Sequence, residues 1–138
     1  MRFTDEEMIA ALQELNAKQK PMQGLLGAII GAFVGFVFYL FISQMGAAII
    51  IMLAVPPASI GLFARFTGQM YSLKYRLPVG AIGALLHIFG CYMLGLTPLA
   101  YILTPVAFII AVTLSKVKLE RVHIWAISQE EIGKLNAK

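Results

Sequence analysis

Residues 22–42, MQGLLGAIIGAFVGFVFYLFI, form the apolar segment that decides the fold class of this chain. The segment contains no Asp, Glu, Lys, Arg or His. As an α-helix it would be roughly 30 Å long, because each residue adds about 1.5 Å, and that length matches the hydrocarbon layer of a bilayer. The segment therefore predicts a membrane-spanning helix.

Three further apolar segments follow, and charged residues surround them in a regular pattern. The segments are residues 46–64, 78–96 and 99–114, with short uncharged turns after the first and third of the four spans. All 11 Lys and Arg residues fall before the first span, between the second and third, or after the fourth. Because Lys and Arg favour the cytoplasmic side, the pattern predicts an all-α bundle of four transmembrane helices in two hairpins. Both termini are then cytoplasmic, and we expect the bacterial inner membrane.

The N-terminal segment, residues 1–21, is polar and predicts a short amphipathic helix on the cytoplasmic side. Thr4 and Glu7 have the spacing of a capping box, in which each side chain accepts a hydrogen bond from the other residue's amide. The acidic character of this segment is the reverse of a basic signal-peptide start, so we expect no cleaved signal peptide.

The C-terminal segment, residues 115–138, is predicted to be a cytoplasmic tail with a short helix. Ser128 and Glu131 repeat the capping-box spacing, which predicts a helix over residues 129–136. Residues 122–127, VHIWAI, are too short to span a bilayer. We expect them either to lie at the membrane interface, which Trp favours, or to form a short strand.

Composition agrees with a membrane protein and argues against a nucleic-acid-binding protein. Hydrophobic residues make up 59% of the chain and charged residues 13%, against roughly 45–50% and about 25% in soluble proteins. The net charge of +4 comes from residues that border the apolar segments, so no nucleic-acid partner is predicted. The lipid bilayer is the expected partner. The single cysteine cannot form an intramolecular disulfide.

Small residues recur along the first predicted span and, less regularly, along the third. Such residues let helix backbones approach closely in a membrane. The predicted packing surface consists of Gly24, Gly27, Gly31, Gly35, Gly80 and Gly83. This surface is expected either to pack against another helix of the same chain, with the first and third spans as a natural pair, or to mediate self-association or binding of another membrane protein.

Prolines interrupt two of the predicted spans. Pro56 and Pro57 lie near the middle of the second span, where they remove two backbone donors, and Ser59 is close enough to supply a replacement bond. Pro105 is expected to act similarly in the fourth span. Either a static kink or a hinge that lines a pathway would account for these residues.

His87 and Cys91 are the candidates for chemistry within the third span. They are four residues apart, so they share one helix face, and ionisable groups inside a membrane are usually functional. One histidine can relay a proton or ligate a metal, but two ligands do not complete a zinc site. A neutral histidine bonded to a neighbouring helix is the simpler hypothesis, and no metal site or cofactor is predicted.

The segment between the second and third spans, residues 65–76, combines cations with aromatic rings. Its basic residues, Arg65, Lys74 and Arg76, suit contact with lipid headgroups. Simple anchoring and a specific lipid or partner site both remain open.

Two functions are consistent with these features, and neither is an enzyme. The first is a small accessory, anchoring or immunity-type membrane subunit that acts through helix–helix association. The second is a small homo-oligomeric channel or transporter, with the proline-containing second span and His87 lining the path. The predicted spans contain no Asp, Glu, Lys or Arg, and ion-coupled transporters usually need a membrane carboxylate, so we favour the first.

Overall fold

The structure is a computed structural model that describes residues 3–44 and 54–135. These ranges contain helices and no strand, which confirms the all-α prediction. The helices are α1 (Asp5–Lys18), α2 (Pro21–Gln44), α3 (Val55–Gly68), α4 (Leu73–Met93), α5 (Pro98–Tyr101), α6 (Thr104–Leu114) and α7 (Arg121–Glu131).

Two of these helices are long and apolar enough to cross a membrane, judged by length and composition. They are Pro21–Phe41 within α2 and Leu73–Met93, which is the whole of α4. A shorter apolar stretch, Pro98–Leu114, contains α5 and α6. The four-span bundle expected from the sequence remains a prediction.

The chain divides into two compact units. We call Met1–Gln19 with Lys118–Lys138 the terminal unit, and Lys20–Val117 the central unit. The terminal unit is built from α1 and α7, and the central unit from α2 to α6. Each is described by itself below.

The terminal unit is a pair of helices packed through a small apolar core. The capping box at the start of α1 is confirmed, since the Glu7 amide donates to Thr4 Oγ1 and the Thr4 amide donates to the Glu7 carboxylate. One face of α1 then packs against α7, and the core consists of Met8, Ala11, Leu12, Ala126 and Leu135. Charged residues of α1 lie on its exposed face.

The C-terminal segment contains a short helix as predicted, but the predicted bounds of 129–136 are wrong. Helix α7 begins at Arg121, where Glu120 and His123 form a reciprocal cap, and not at Ser128. It ends before Gly133, which has a φ of 72°. The Gly133 and Lys134 amides bond back to the carbonyls of Glu130 and Gln129, the Schellman arrangement that closes a helix.

The apolar segment 122–127 is therefore part of a helix, and the short strand proposed for it is wrong. Its apolar residues divide between two faces. Ala126 is fully buried, while Ile124 and Trp125 are exposed.

The central unit consists of two antiparallel helix pairs. Along the first pair, Gly24 lies against Gly68, Gly31 against Ile60, and Gly35 against Pro56, so α2 and α3 run in opposite directions. The second pair joins α4 to α6. Within the described residues, both helix pairs agree with the predicted arrangement of two hairpins.

The predicted ends of the first and second spans shift in the structure. Helix α2 extends to Gln44, which includes part of the turn expected at 43–45. Helix α3 continues to Gly68, four residues beyond the predicted end, and Gln69 then adopts a left-handed conformation with φ 46°. The N-terminal part of the predicted second span, 46–53, lies outside the described residues.

Helix α4 begins and ends earlier than the third predicted span. It starts at Leu73, so Pro78 lies inside the helix and not in its first turn. The basic segment 65–76 is mostly helical, and only 69–72 connects α3 to α4. At the other end Gly95, with φ 58°, and Leu96 bond back to Tyr92 and Cys91 and close the helix.

The fourth predicted span, 99–114, is interrupted. A turn at residues 102–103 separates α5 from α6. Pro105 has no amide hydrogen to offer the Tyr101 carbonyl four residues earlier. Thr104 Oγ1 donates to that carbonyl instead, at 2.7 Å. The predicted disturbance at Pro105 thus takes the form of a break that a neighbouring hydroxyl satisfies.

Candidate functional site

The glycines of α2 form a continuous contact surface with α3. A Cβ added at Gly27 would lie 2.7 Å from the Phe63 carbonyl oxygen, and one at Gly31 would lie 2.7 Å from the Ile60 Cα atom. Real Cβ atoms do not approach backbone this closely, so each glycine allows contact that alanine would prevent. The two helices therefore pack backbone against backbone, as small residues permit in membranes.

The glycines of α4 meet a different helix from the one expected. A Cβ at Gly80 would approach Val112 and Phe108 of α6, and one at Gly83 would lie 2.7 Å from the Ala111 Cβ atom. The expected packing of the first span against the third is present, but through other residues: the Tyr39 ring lies on Gly90, and the Phe36 and Phe89 rings lie 6.0 Å apart. Gly80 and Gly83 themselves pack against α6 and not against the glycines of α2.

Ser59 connects the proline-containing end of α3 to α2. Its hydroxyl lies 2.9 Å from the Gly31 carbonyl oxygen and 2.7 Å from the Pro56 carbonyl oxygen. Pro56 and Pro57 lie in the first turn of α3 as the structure describes it, where a missing amide costs little. The kink predicted between these prolines and the preceding residues falls partly in 45–53, outside the described residues.

A buried polar cluster forms where α2, α4 and α5 meet. His87 Nε2 lies 3.2 Å from the Ala100 carbonyl oxygen, and His87 Nδ1 lies 3.5 Å from Tyr39 Oη. Cys91 Sγ lies 3.5 Å from His87 Nε2. The side chains of Tyr39, His87 and Cys91 are each 1% exposed or less. In the tautomer with its proton on Nε2, the ring would donate to the Ala100 carbonyl oxygen and accept from the Tyr39 hydroxyl.

The geometry of this cluster favours a structural role over chemistry. Both ring nitrogens of His87 have protein partners, and the Tyr39 ring lies directly on Gly90, which leaves no room for a Cβ there. Among the described residues no group of three His, Cys, Asp or Glu side chains is arranged to hold a metal ion. The cluster links three helices through polar contacts.

The three predicted headgroup residues lie in different environments. Lys74 is exposed and Arg65 is partly exposed near the end of α3. Arg76 is 9% exposed, and its Nη1 atom donates to the Val112 carbonyl oxygen at 3.2 Å. The three cations are close together in the sequence, but in the structure Arg76 is buried, whereas Lys74 is exposed and Arg65 is partly exposed.

Backbone contacts gather four helix ends around these cations. The Lys20 amide, before α2, donates to the Gly68 carbonyl at the end of α3 at 2.8 Å. The Val117 amide, after α6, donates to the Met70 carbonyl before α4 at 3.2 Å. We call this end of the central unit the basic end, because its cations are Lys20, Arg65, Lys74, Arg76 and Lys116.

An apolar groove runs along the outside of α2 and α4. It has a volume of about 240 Å³ and a lining without polar surface, formed by Ile29, Ala32, Phe33, Phe36, Ile82, Leu86 and Phe89. The Phe36 and Phe89 rings lie 6.0 Å apart at its floor. Such a lining suits hydrocarbon and offers no path to an ion.

Sequence reasoning missed Tyr39 and the backbone acceptors of Ala100 and Val112. Tyr39 carries a phenol oxygen inside an apolar segment, and a buried phenol usually needs a partner, so the sequence held a signal. The sequence contains no signal for the two carbonyl contacts.

Comparison with protein-family models, curated proteins and solved structures finds no significant match.

Proposed function

We propose that this protein is a small, non-enzymatic integral membrane subunit whose central unit crosses the bilayer four times. In this proposal it serves as an accessory, assembly, anchoring or immunity-type partner of another membrane protein. The termini and the basic end lie on the cytoplasmic side of a bacterial inner membrane.

The main support is the distribution of side chains in the central unit. Its buried positions are mostly small or polar, including Ala28, Gly31, His87, Ala111 and Ser115. Its exposed positions are large and apolar, including Leu26 (59% exposed), Phe33 (71%), Phe41 (70%), Leu85 (66%) and Ile109 (57%). Contiguous apolar surface on this scale is costly in water, whereas hydrocarbon solvates it.

The gathered helix ends give independent support for the orientation. The basic end unites the start of α2, the end of α3, the start of α4 and the end of α6. Four crossings with this geometry would put every cation of the central unit on one side, as the positive-inside rule requires.

The partner surface in this proposal excludes the glycine surface of α2. That surface is covered by α3 of the same chain, so a partner would contact the outward-facing large side chains. This revises the expectation that the glycines themselves bind a second protein.

The channel or transporter alternative receives no support from the contacts of its key residue. His87 is 1% exposed and its ring nitrogens contact Tyr39 and the Ala100 carbonyl. The pathway through His87, Pro56 and Pro57 remains an untested prediction.

Native mass spectrometry of the protein, extracted gently from its own host membrane, tests the accessory function. We expect a complex with one other membrane protein in fixed stoichiometry, and the identity of that protein would name the process. A closed homo-oligomer of defined number, without a foreign protein, would contradict the accessory function and favour the channel.

A further inference from the structure

Arg76 is a buried cation for which the central unit supplies no counter-ion. Residues 20–117 contain no Asp or Glu at all. Arg76 as a residue is 9% exposed, its Nη1 bonds to the Val112 carbonyl oxygen, and its Nε is enclosed without a hydrogen-bond partner. A guanidinium stays protonated and carries five donors, so one carbonyl satisfies only a small part of it.

The unmet charge is energetically significant. A buried ion is costly unless it is paired and its remaining donors are bonded. The carbonyl that Arg76 uses is also shared, because Ser115 Oγ donates to the same Val112 oxygen at 2.8 Å. The local structure therefore holds the guanidinium in place and leaves its charge unbalanced.

The surroundings of Arg76 favour an anion from outside the central unit. Besides Arg76, the basic end carries four cations. The whole central unit contains no Asp or Glu. Arg76 is the fourth residue of α4, so in the proposed membrane it would lie close to the headgroup layer. Carboxylate and phosphate oxygens both match the guanidinium fork, and phosphate is the anion that the lipid headgroup layer supplies.

We propose that Arg76 is the centre of a binding site for one phosphate group, supplied by an anionic lipid headgroup or by free phosphate. The lipid source rests on the proposed membrane function, whereas the phosphate site does not. Arg76 is the specific ligand, and the exposed cations of the basic end attract the anion without fixing its position.

The test compares two neutralising substitutions two residues apart on α4. Arg76→Gln removes the buried guanidinium, and Lys74→Gln removes the same charge from an exposed side chain. The full-length protein, delipidated in a neutral detergent, is titrated with phosphatidylglycerol and, separately, with phosphatidylcholine, and bound lipid is counted by native mass spectrometry. Since a hydrogen bond to a charged group contributes about 1.5–3 kcal/mol, Arg76→Gln should weaken phosphatidylglycerol binding about tenfold or more.

Lys74→Gln should weaken that binding about twofold or less, because exposed charges contribute little. Equal losses in the two variants would overturn the proposal. So would the absence of both a preference for phosphatidylglycerol and an Arg76-dependent binding of inorganic phosphate. If Arg76→Gln does not fold, Arg76→Lys replaces it. This variant keeps the charge but loses the planar fork, so we expect a smaller phosphatidylglycerol-induced rise in Tm than in the unmodified protein, and an equal rise would overturn the proposal.

Competition with inorganic phosphate separates the two sources. If millimolar phosphate displaces phosphatidylglycerol, the site binds phosphate in general. If phosphate does not displace it, the lipid headgroup is the source of the bound phosphate group. Phosphate binding that depends on Arg76 without any lipid preference would keep the site and remove the lipid. A failure of the proposed membrane function would show in a different experiment, as equal labelling of cysteines placed at Thr97 and Gln69 by a membrane-impermeant reagent in sealed spheroplasts.

Discussion

The terminal unit and the central unit bury opposite kinds of side chain. In the terminal unit Leu12 is fully buried, and the charged residues of α1 face outward. In the central unit Gly31 and Ala111 are buried, while Phe33 and Leu85 face outward. The first arrangement is typical of a protein that folds in water, and the second is the one expected for helices in the proposed membrane.

This contrast shows that one chain can use two sources of stability. The terminal unit gains from removing large apolar side chains from water, so its core positions are large. The central unit gains from close backbone approach and from polar contacts such as Ser59 to Gly31, so its core positions are small. The same kind of substitution should therefore change the stability of the two units by different amounts.

The largest effect is expected from enlarging a glycine in the central unit. Gly31→Leu introduces a side chain where even a Cβ would lie 2.7 Å from the Ile60 Cα atom and 2.8 Å from the Ser59 carbonyl oxygen. We expect no folded bundle, because losses above about 5 kcal/mol approach the stability of a whole domain. Circular dichroism and thermal melting in detergent measure this.

Ile30→Leu is the matched control, since it places the same side chain one residue away at a position that is 51% exposed. It should melt like the unmodified protein. A folded Gly31→Leu protein with unchanged Tm would show that α2 and α3 do not pack through this surface.

Truncation of leucine should affect the terminal unit more than the central unit. Leu12→Ala removes a fully buried side chain and should cost about 2–5 kcal/mol of local stability. Leu85→Ala removes one that is 66% exposed and should cost less than about 0.5 kcal/mol. Hydrogen exchange should report faster exchange of α1 and α7 amides in the first variant alone. A larger effect of Leu85→Ala would break the comparison between the units.

Removal of the buried phenol hydroxyl should cost a moderate amount. Tyr39→Phe deprives His87 Nδ1 of its partner, and interhelical hydrogen bonds in membranes contribute about 0.6–2 kcal/mol. Tyr92→Phe is the control, because Tyr92 is 76% exposed. Equal unfolding midpoints for the two variants would mean that the Tyr39 contact contributes nothing.

The smallest effect is expected from an ion pair on the exposed face of α1. Lys18 bonds to Glu14 and lowers the pKa of that carboxyl below its ordinary value, through the hydrogen bond and the positive charge. Because the pKa is lower in the folded state, the stabilisation is present above the unfolded pKa and disappears as the pH falls through the folded pKa. Both groups are exposed, so the contribution is small.

An NMR titration of the Glu14 carboxyl measures this shift directly. In the Lys18→Gln variant the midpoint should move up towards the ordinary value for glutamate. An unchanged midpoint would exclude Lys18 as the cause.

Local sequence signals predicted the parts of the fold that depend on local contacts. Thr4 and Glu7 are three residues apart, and their capping box is present. The apolar length of 22–42 predicted a long helix, which α2 provides. The helix at the C-terminus was placed wrongly because Glu120 and His123 form a cap that does not follow the usual Ser or Thr pattern.

Contacts between distant residues were not predictable in the same way. Tyr39 and His87 are 48 positions apart, and nothing in either segment indicates that they meet. Arg76 was grouped with Arg65 and Lys74 because they share one basic segment. Its burial depends on the Val112 carbonyl, 36 positions away.

Site-specific cysteine labelling in spheroplasts tests most directly the claim that the central unit crosses the membrane. In a Cys91→Ala background, Thr97→Cys lies in the turn between α4 and α5, and Gln69→Cys lies at the basic end. A membrane-impermeant maleimide should label Thr97→Cys in sealed spheroplasts and Gln69→Cys only after lysis. Equal labelling of both cysteines before lysis, or recovery of the protein in the soluble fraction, would contradict the account.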